Sequence, residues 1–183
     1  MRLKLKTAPT VEPASLEEAK AHLRVDGADE NALIGALITA ARRFVESFTL
    51  RALITQTWVL TLDSAGPEVE IPRPPLQKVN SVKVVLEDGT ESPVDPSLYW
   101  EDASGGGPGR LRLKTGVSWP AHRGFASIVI EFDAGYGDEA ADVPEDLRRA
   151  VLQAVGHLYE NRESQEIPEG ARILAWPYRI IRL

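Results

Sequence analysis

The hydrophobic period changes twice along the chain, and this limits the folds open to it. In "ENALIGALITAARRFVESF" the apolar residues Ala32, Leu33, Ala36, Leu37, Ala40, Ala41, Phe44, Val45 and Phe48 recur with helical spacing and form one broad stripe. Ile34 and Ile38 widen it, so the helix should meet neighbours on two sides. Between about residues 54 and 134 the period drops to two. Trp58, Leu60 and Leu62 share one side of a strand, opposite Thr57, Val59 and Thr61. Val82, Val84 and Leu86 alternate ahead of an Asp88-Gly89 hairpin turn, and Leu111, Leu113, Ile128, Ile130 and Phe132 mark further strands. Helical spacing then returns in "DVPEDLRRAVLQAVGHLYENRE", through Leu147, Ala150, Val151, Ala154, Val155, Leu158 and Tyr159. Neither long amphipathic helix is stable alone, so the two stripes should bury against each other.

The expected class is therefore α+β: a small helical bundle with a mainly antiparallel β insertion between its second and third helices. The expected segments are 1–53 for the N-terminal helices, 54–134 for the β insertion, 135–167 for the C-terminal helix and 168–183 for an extended tail. Ser15 and Glu18 form a capping-box pattern ahead of a short first helix. Asp29 or Asp26 is expected to cap the second. Asp142 should cap the third, with Pro144 in its first turn and Glu145 completing a box. Gly156 costs about 1 kcal/mol against alanine inside that helix, which predicts a close packing contact. "IPRPPLQ" lies between strands, where Pro72, Pro74 and Pro75 read as a rigid edge connection.

The tail, "ILAWPYRIIRL", is apolar and basic. Termini of that length fray unless tied down, so it either folds back on its own domain or is kept for a partner.

Little in the sequence supports chemistry. There is no cysteine, which excludes disulfides, thiolate metal sites and cysteine nucleophiles. His22, His122 and His157 lack companions at metal-ligand spacing, and no metal or cofactor is expected. Ser104 and Ser118 lie outside a nucleophile elbow. Gly105 to Gly109 lead into a strand instead of a phosphate-cradling helix. Asp138, Glu139 and Asp142 precede a helix and should cap it. No catalytic residue is expected, and the chain is not read as an enzyme. The net charge of −6 argues against a broad nucleic-acid footprint and suits a surface that DNA passes without sticking. The N-terminus has no long apolar core and no stretch is long enough to span a bilayer, so no membrane partner is expected and synthesis is placed in the cytosol.

Several stretches occur in a telling order: "SLEEAKAHLRVD", "ALIGALITAARRFVESFTLRALITQTWVLTLD", "IPRPPLQKVNSVKV", "DPSLYW", "AGYGDEAADVPEDLRRAVLQAVGHLYENRE" and "PYR". Together they resemble the head-tail connector (adaptor) family of tailed bacteriophages, with its prophage and gene-transfer-agent relatives. The resemblance runs from about residue 15 to 179. It implies a connector-type bundle and a structural protein of the virion neck, at the unique capsid vertex, assembled in the bacterial cytoplasm. Its copies would form a ring, usually twelvefold, beneath the portal protein and above a head-closure or tail protein, with DNA passing through the channel. It places Pro177, Tyr178 and Arg179 on the portal contact.

Trp176, Pro177, Tyr178, Arg179, Ile180 and Ile181 are accordingly the expected docking residues, since Trp, Tyr and Arg dominate interface hot spots. Ring contacts are expected from Ile34, Ile38, Arg42, Arg43, Arg148 and Arg149, off the faces that pair inside each subunit. The rival readings are another neck component (a head-closure or tail-terminator protein), a packaged hydrolase, and a binding module with Trp58, Trp100 and Trp119 lining a groove.

Overall fold

The computed structural model describes residues 1–161, 166 and 168–181. It divides into two compact units: Met1–Ala8 with Thr55–Gly135, and Pro9–Ile54 with Tyr136–Leu183.

The first unit is all-β. Its strands are β1 (Arg2–Thr7), β2 (Gln56–Leu62), β3 (Glu68–Ile71), β4 (Leu76–Val85), β5 (Glu91–Pro93), β6 (Tyr99–Asp102), β7 (Gly109–Leu113) and β8 (Ile128–Ala134). One sheet runs β1-β2-β8-β4-β5 and the other β3-β7-β6, with antiparallel neighbours throughout. The alternation read from the sequence sets the register. Ile130 faces Leu60 on one side and Val82 on the other, and all three are buried. In the smaller sheet Leu111 and Val69 are a buried pair, while the adjoining row Glu68, Arg112 and Trp100 carries charge and an exposed indole. Gly109 admits β4 closely: a Cβ there would collide with the Leu76 side chain.

Residues 1–8 belong to this sheet unit and not with the helices of the 1–53 segment. Leu3 and Leu5 turn inward between exposed Arg2, Lys4 and Lys6, and β1 pairs with β2. The alternation in "RLKLKT" is real but short. Its partner strand lies some fifty residues downstream (Leu3 opposite Leu60), so no local signal announces the pairing.

The second unit holds four helices among the described residues: α1 (Leu16–Leu23), α2 (Asn31–Thr49), α3 (Glu145–Glu160) and α4 (Glu169–Ala175). α1 has the expected capping box. The Glu18 amide donates to Ser15 Oγ at 3.1 Å, and the Ser15 amide donates to Glu18 Oε2 at 2.8 Å. The other caps differ from expectation. α2 starts after Glu30, with no side-chain cap from Asp26 or Asp29. α3 starts at Glu145 with Pro144 as its cap residue. The Asp142 carboxylate instead accepts the Glu139 amide at 3.0 Å, one step earlier in the chain. Gly156 has the close contact expected of it, since a Cβ there would stand 3.3 Å from His22 Nε2.

Of the α3 stripe, Leu147, Ala150, Val151, Ala154, Val155 and Leu158 are buried, and Tyr159 is half-buried. The α2 stripe is rotated. Its buried line is Ile34, Ile38, Ala41 and Val45, while Ala32, Leu33 and Ala36 face out and Leu37, Ala40, Phe44 and Phe48 are half-buried. Apolar residues cover so much of this helix that period alone leaves its phase open. The packing of the other helices chooses it.

Nor is the C-terminal segment extended. Glu169–Ala175 is helical, and a 3-10 turn follows at Trp176–Tyr178. Ala171 and Ala175 are buried in the same core as α2 and α3. Among the described residues, no helix is long and apolar enough to cross a membrane.

Candidate functional site

The expected ring contacts fare unevenly. Ile34 and Ile38 are core residues of their own unit. Arg42 is only 4% exposed. Its Nε donates to Glu12 Oε2 at 2.7 Å and its Nη1 to Glu46 Oε2 at 2.9 Å. Burial opposes the charge on Arg42, but the bonds and charges of Glu12 and Glu46 outweigh it and hold the guanidinium above its ordinary pKa. Glu46 Oε1 also accepts the Leu53 amide at 3.0 Å. Arg148 is likewise spent internally, donating to the Pro13 carbonyl at 3.0 Å and to Glu145 and Glu18. These four side chains hold the subunit together, and only Arg43 and Arg149 stand exposed. Paired basic residues on a helix look alike in sequence whether they face solvent or a buried carboxylate. The deciding acids, Glu12 and Glu18, come from elsewhere in the chain.

The C-terminal segment does both things its composition allows. Its inner side is tied down. The Ile180 amide donates to the Thr49 carbonyl at 3.0 Å, and Arg51 Nε donates to the Tyr178 carbonyl. The Tyr178 hydroxyl is pushed above its usual pKa by burial, and the nearby Asp146 carboxylate adds to this. Its outer side is open. Ile173 is 65% exposed, Trp176 55% and Ile181 71%; Pro177 and Arg179 are also exposed. Arg182 and Leu183, which complete the tail in the sequence, lie outside the described residues, as do residues 162–165 and Ile167.

Phe48, at the end of α2, organises this outer surface. Its ring centroid is 6.2 Å from that of Trp176, tilted by 45°. The Arg179 guanidinium lies 5.1 Å from the Phe48 centroid and 5.4 Å from that of Trp176. The Arg172 guanidinium lies 5.8 Å from the same Phe48 ring. Beside them runs a groove of about 680 Å³ lined by His157, Glu166, Pro168, Glu169, Arg172, Ile173 and Trp176. Phe48, Arg51 and Arg172 are absent from the expected docking set. Arg172 is near Arg179 in the chain, but Phe48 and Arg51 are brought to it only by the return of the chain.

No group of side chains among the described residues could hold a metal ion. Of the three tryptophans proposed for a groove, Trp100 sits in a shallow pocket with Glu68, Glu101, Asp102, Arg110 and Arg112, without the other two. Trp119 donates from Nε1 to the Gly66 carbonyl at 2.9 Å.

Residues 13–94 match the family model described as phage gp6-like head-tail connector protein. This segment is similar to a head-tail connector domain. It begins beside the α1 cap and ends after β5. Three solved chains resemble the whole molecule, each covering 100% of this chain and 97% of its own. A chain from the neck of an empty gene transfer agent particle, computed with C6 symmetry, has a TM-score of 0.85 at 25% identity. One from the virion of a native gene transfer agent particle has 0.85 at 26%. One from the neck of the native particle, computed with C12 symmetry, has 0.81 at 25%. Among curated protein sequences none matches significantly. The likeness to these neck and virion chains extends beyond the matched segment, through α3 and the C-terminal segment.

Proposed function

We propose that the chain is a structural head-to-tail connector in the neck of a tailed-phage or gene-transfer-agent particle, and not an enzyme. The observation that carries this is the end-to-end likeness to a neck chain at a TM-score of 0.85, joined to the connector segment at 13–94. Copies form a ring below the portal, extend the DNA channel and present a platform to the next neck or tail protein. The C6 and C12 symmetries of the similar necks support a ring of copies. The net charge of −6 suits a wall along which DNA slides.

The exposed residues of the helical unit then have two tasks. Arg43, Arg149 and the outward Leu33 of α2 are available to neighbouring copies in the ring. The exposed Ile173, Trp176, Pro177, Arg179 and Ile181 face the portal. A rigid aromatic beside a guanidinium is the composition of interface hot spots. Repetition around a ring strengthens weak individual contacts through effective concentration.

The test is to purify the 20.1 kDa chain and measure its size alone and after mixing with the portal protein of the same particle, then image the mixture by electron microscopy. A closed ring seated on the portal is expected. A chain that neither assembles nor binds the portal overturns the reading.

A further inference from the structure

We propose that Arg172 and Arg179, stacked around Phe48, form a receptor for the carboxylate of an acidic peptide segment in a partner protein, with an adjoining apolar side chain of that segment seated by Trp176 and Ile173. This rests on the connector reading, because the partner is another protein of the neck.

Two guanidiniums approach one aromatic ring, at 5.8 and 5.1 Å from its centroid. Like charges brought together repel. Among the described residues no ion pair engages either arginine, although acids outnumber bases 27 to 21 in the chain. The contrast with Arg42 and Arg148 is direct, since each of those meets two carboxylates. Over the Phe48 and Trp176 rings the guanidiniums keep N–H groups able to donate, and a guanidinium can take a carboxylate bidentately.

The surroundings select the kind of anion. Glu169 and Glu166 line the same groove as Arg172. They repel a long polyanion such as a DNA backbone but leave room for one or two carboxylates at the arginine end. The 55% and 65% exposed faces of Trp176 and Ile173 offer apolar area beside that end. The complementary ligand is therefore a short segment with an acid next to a large apolar residue.

The experiment measures affinity of the full chain for the portal protein of the same particle across a salt series. It compares wild type, Trp176→Ala, the double variant R172Q/R179Q and the charge-keeping R172K/R179K, with a short DNA duplex as a second probe. The double glutamine variant should lose about tenfold to a hundredfold in affinity, the scale of hydrogen bonds to charged groups, and should flatten the salt dependence. The lysine variant should recover part of the loss. Trp176→Ala should weaken binding at every salt concentration. If Trp176→Ala weakens binding but R172Q/R179Q changes neither affinity nor salt slope, the carboxylate receptor is wrong and the docking surface stands. If neither matters, the docking surface falls and the receptor with it. If the glutamines abolish binding to the duplex and leave portal binding intact, the ligand is phosphate and the proposal is overturned.

Discussion

The Ile180 amide and the Thr49 carbonyl meet at 3.0 Å, and this bond seats the C-terminal segment against the end of α2. Arg51, which is buried, supports it by donating to the Tyr178 carbonyl one turn away. Arg51→Ala should leave that carbonyl without its donor, at a cost of about 1–3 kcal/mol. Because the contact is local, the loss should appear as faster hydrogen exchange at the amides of Arg179 and Ile180. Protection in α3 should stay near wild type. Equal loss of protection along α3 would show that the contact is not local and that the whole helical unit opens with it.

Arg42 joins three parts of the helical unit, through Glu12 in the incoming chain and Glu46, whose other oxygen holds the Leu53 amide. Arg42→Met strands two carboxylates where they were paired, and should destabilise the protein by about 3–5 kcal/mol in urea unfolding. Replacing all three members with apolar residues of similar volume should be much milder. A mild single substitution would mean that water already reaches the cluster.

The helix-period reading found both long helices but turned one of them. Phase is carried by which apolar residues have neighbours, and the sequence of α2 offers more apolar positions than the core can use. Arg42 and Glu46 count as polar in any periodicity, yet they are buried because they satisfy each other. α3, with a narrower stripe, left no such choice.

Asp133 on β8 takes hydrogen bonds from Thr57 Oγ1 at 2.7 Å and Asn80 Nδ2 at 2.8 Å, and Lys78 Nζ lies 3.4 Å away. Burial alone would raise its pKa, but these partners outweigh it and hold the carboxyl below its ordinary value. A depressed folded-state value means that its stabilisation is complete above the unfolded pKa. It is lost as pH falls through the folded one. The stability difference between wild type and Asp133→Asn should therefore be constant near neutrality and shrink on acidification below about pH 4. A difference that persists unchanged to pH 2 would assign it to hydrogen bonding that both side chains make.

Gly109 lets β7 lie against Leu76, and a methyl group there would overlap that side chain. Gly109→Ala should cost about 1–3 kcal/mol by overpacking. Combining it with Leu76→Ala should recover part of this, since the clash disappears while a cavity opens. Strictly additive losses in thermal unfolding would argue that the two residues do not meet.

The C-terminal segment was legible as an apolar and basic composition, and Ile173, Trp176 and Ile181 of it stand in solvent while Leu174, Tyr178 and Ile180 are half-buried. Its shape was not. A helix of only Glu169–Ala175, ending on Trp176-Pro177, is too short to announce itself by period, and it forms because Ala171 and Ala175 fit against α2 and α3. Among the expected ring contacts, Ile34 and Ile38 could not be told from surface apolar residues until the bundle closed over them.

Local patterns were enough for the long helices and the β region between them, because strand and helix periods, the Ser15 capping box and the Asp88-Gly89 turn are written within a few residues of one another. Packing chose which face of α2 is inside, paired residues 2–7 with a distant strand, and let Phe48 gather Arg172, Trp176 and Arg179 into one surface. Those outcomes depend on contacts between residues far apart in the chain, and short-range patterns hold no information about which distant partner will be there.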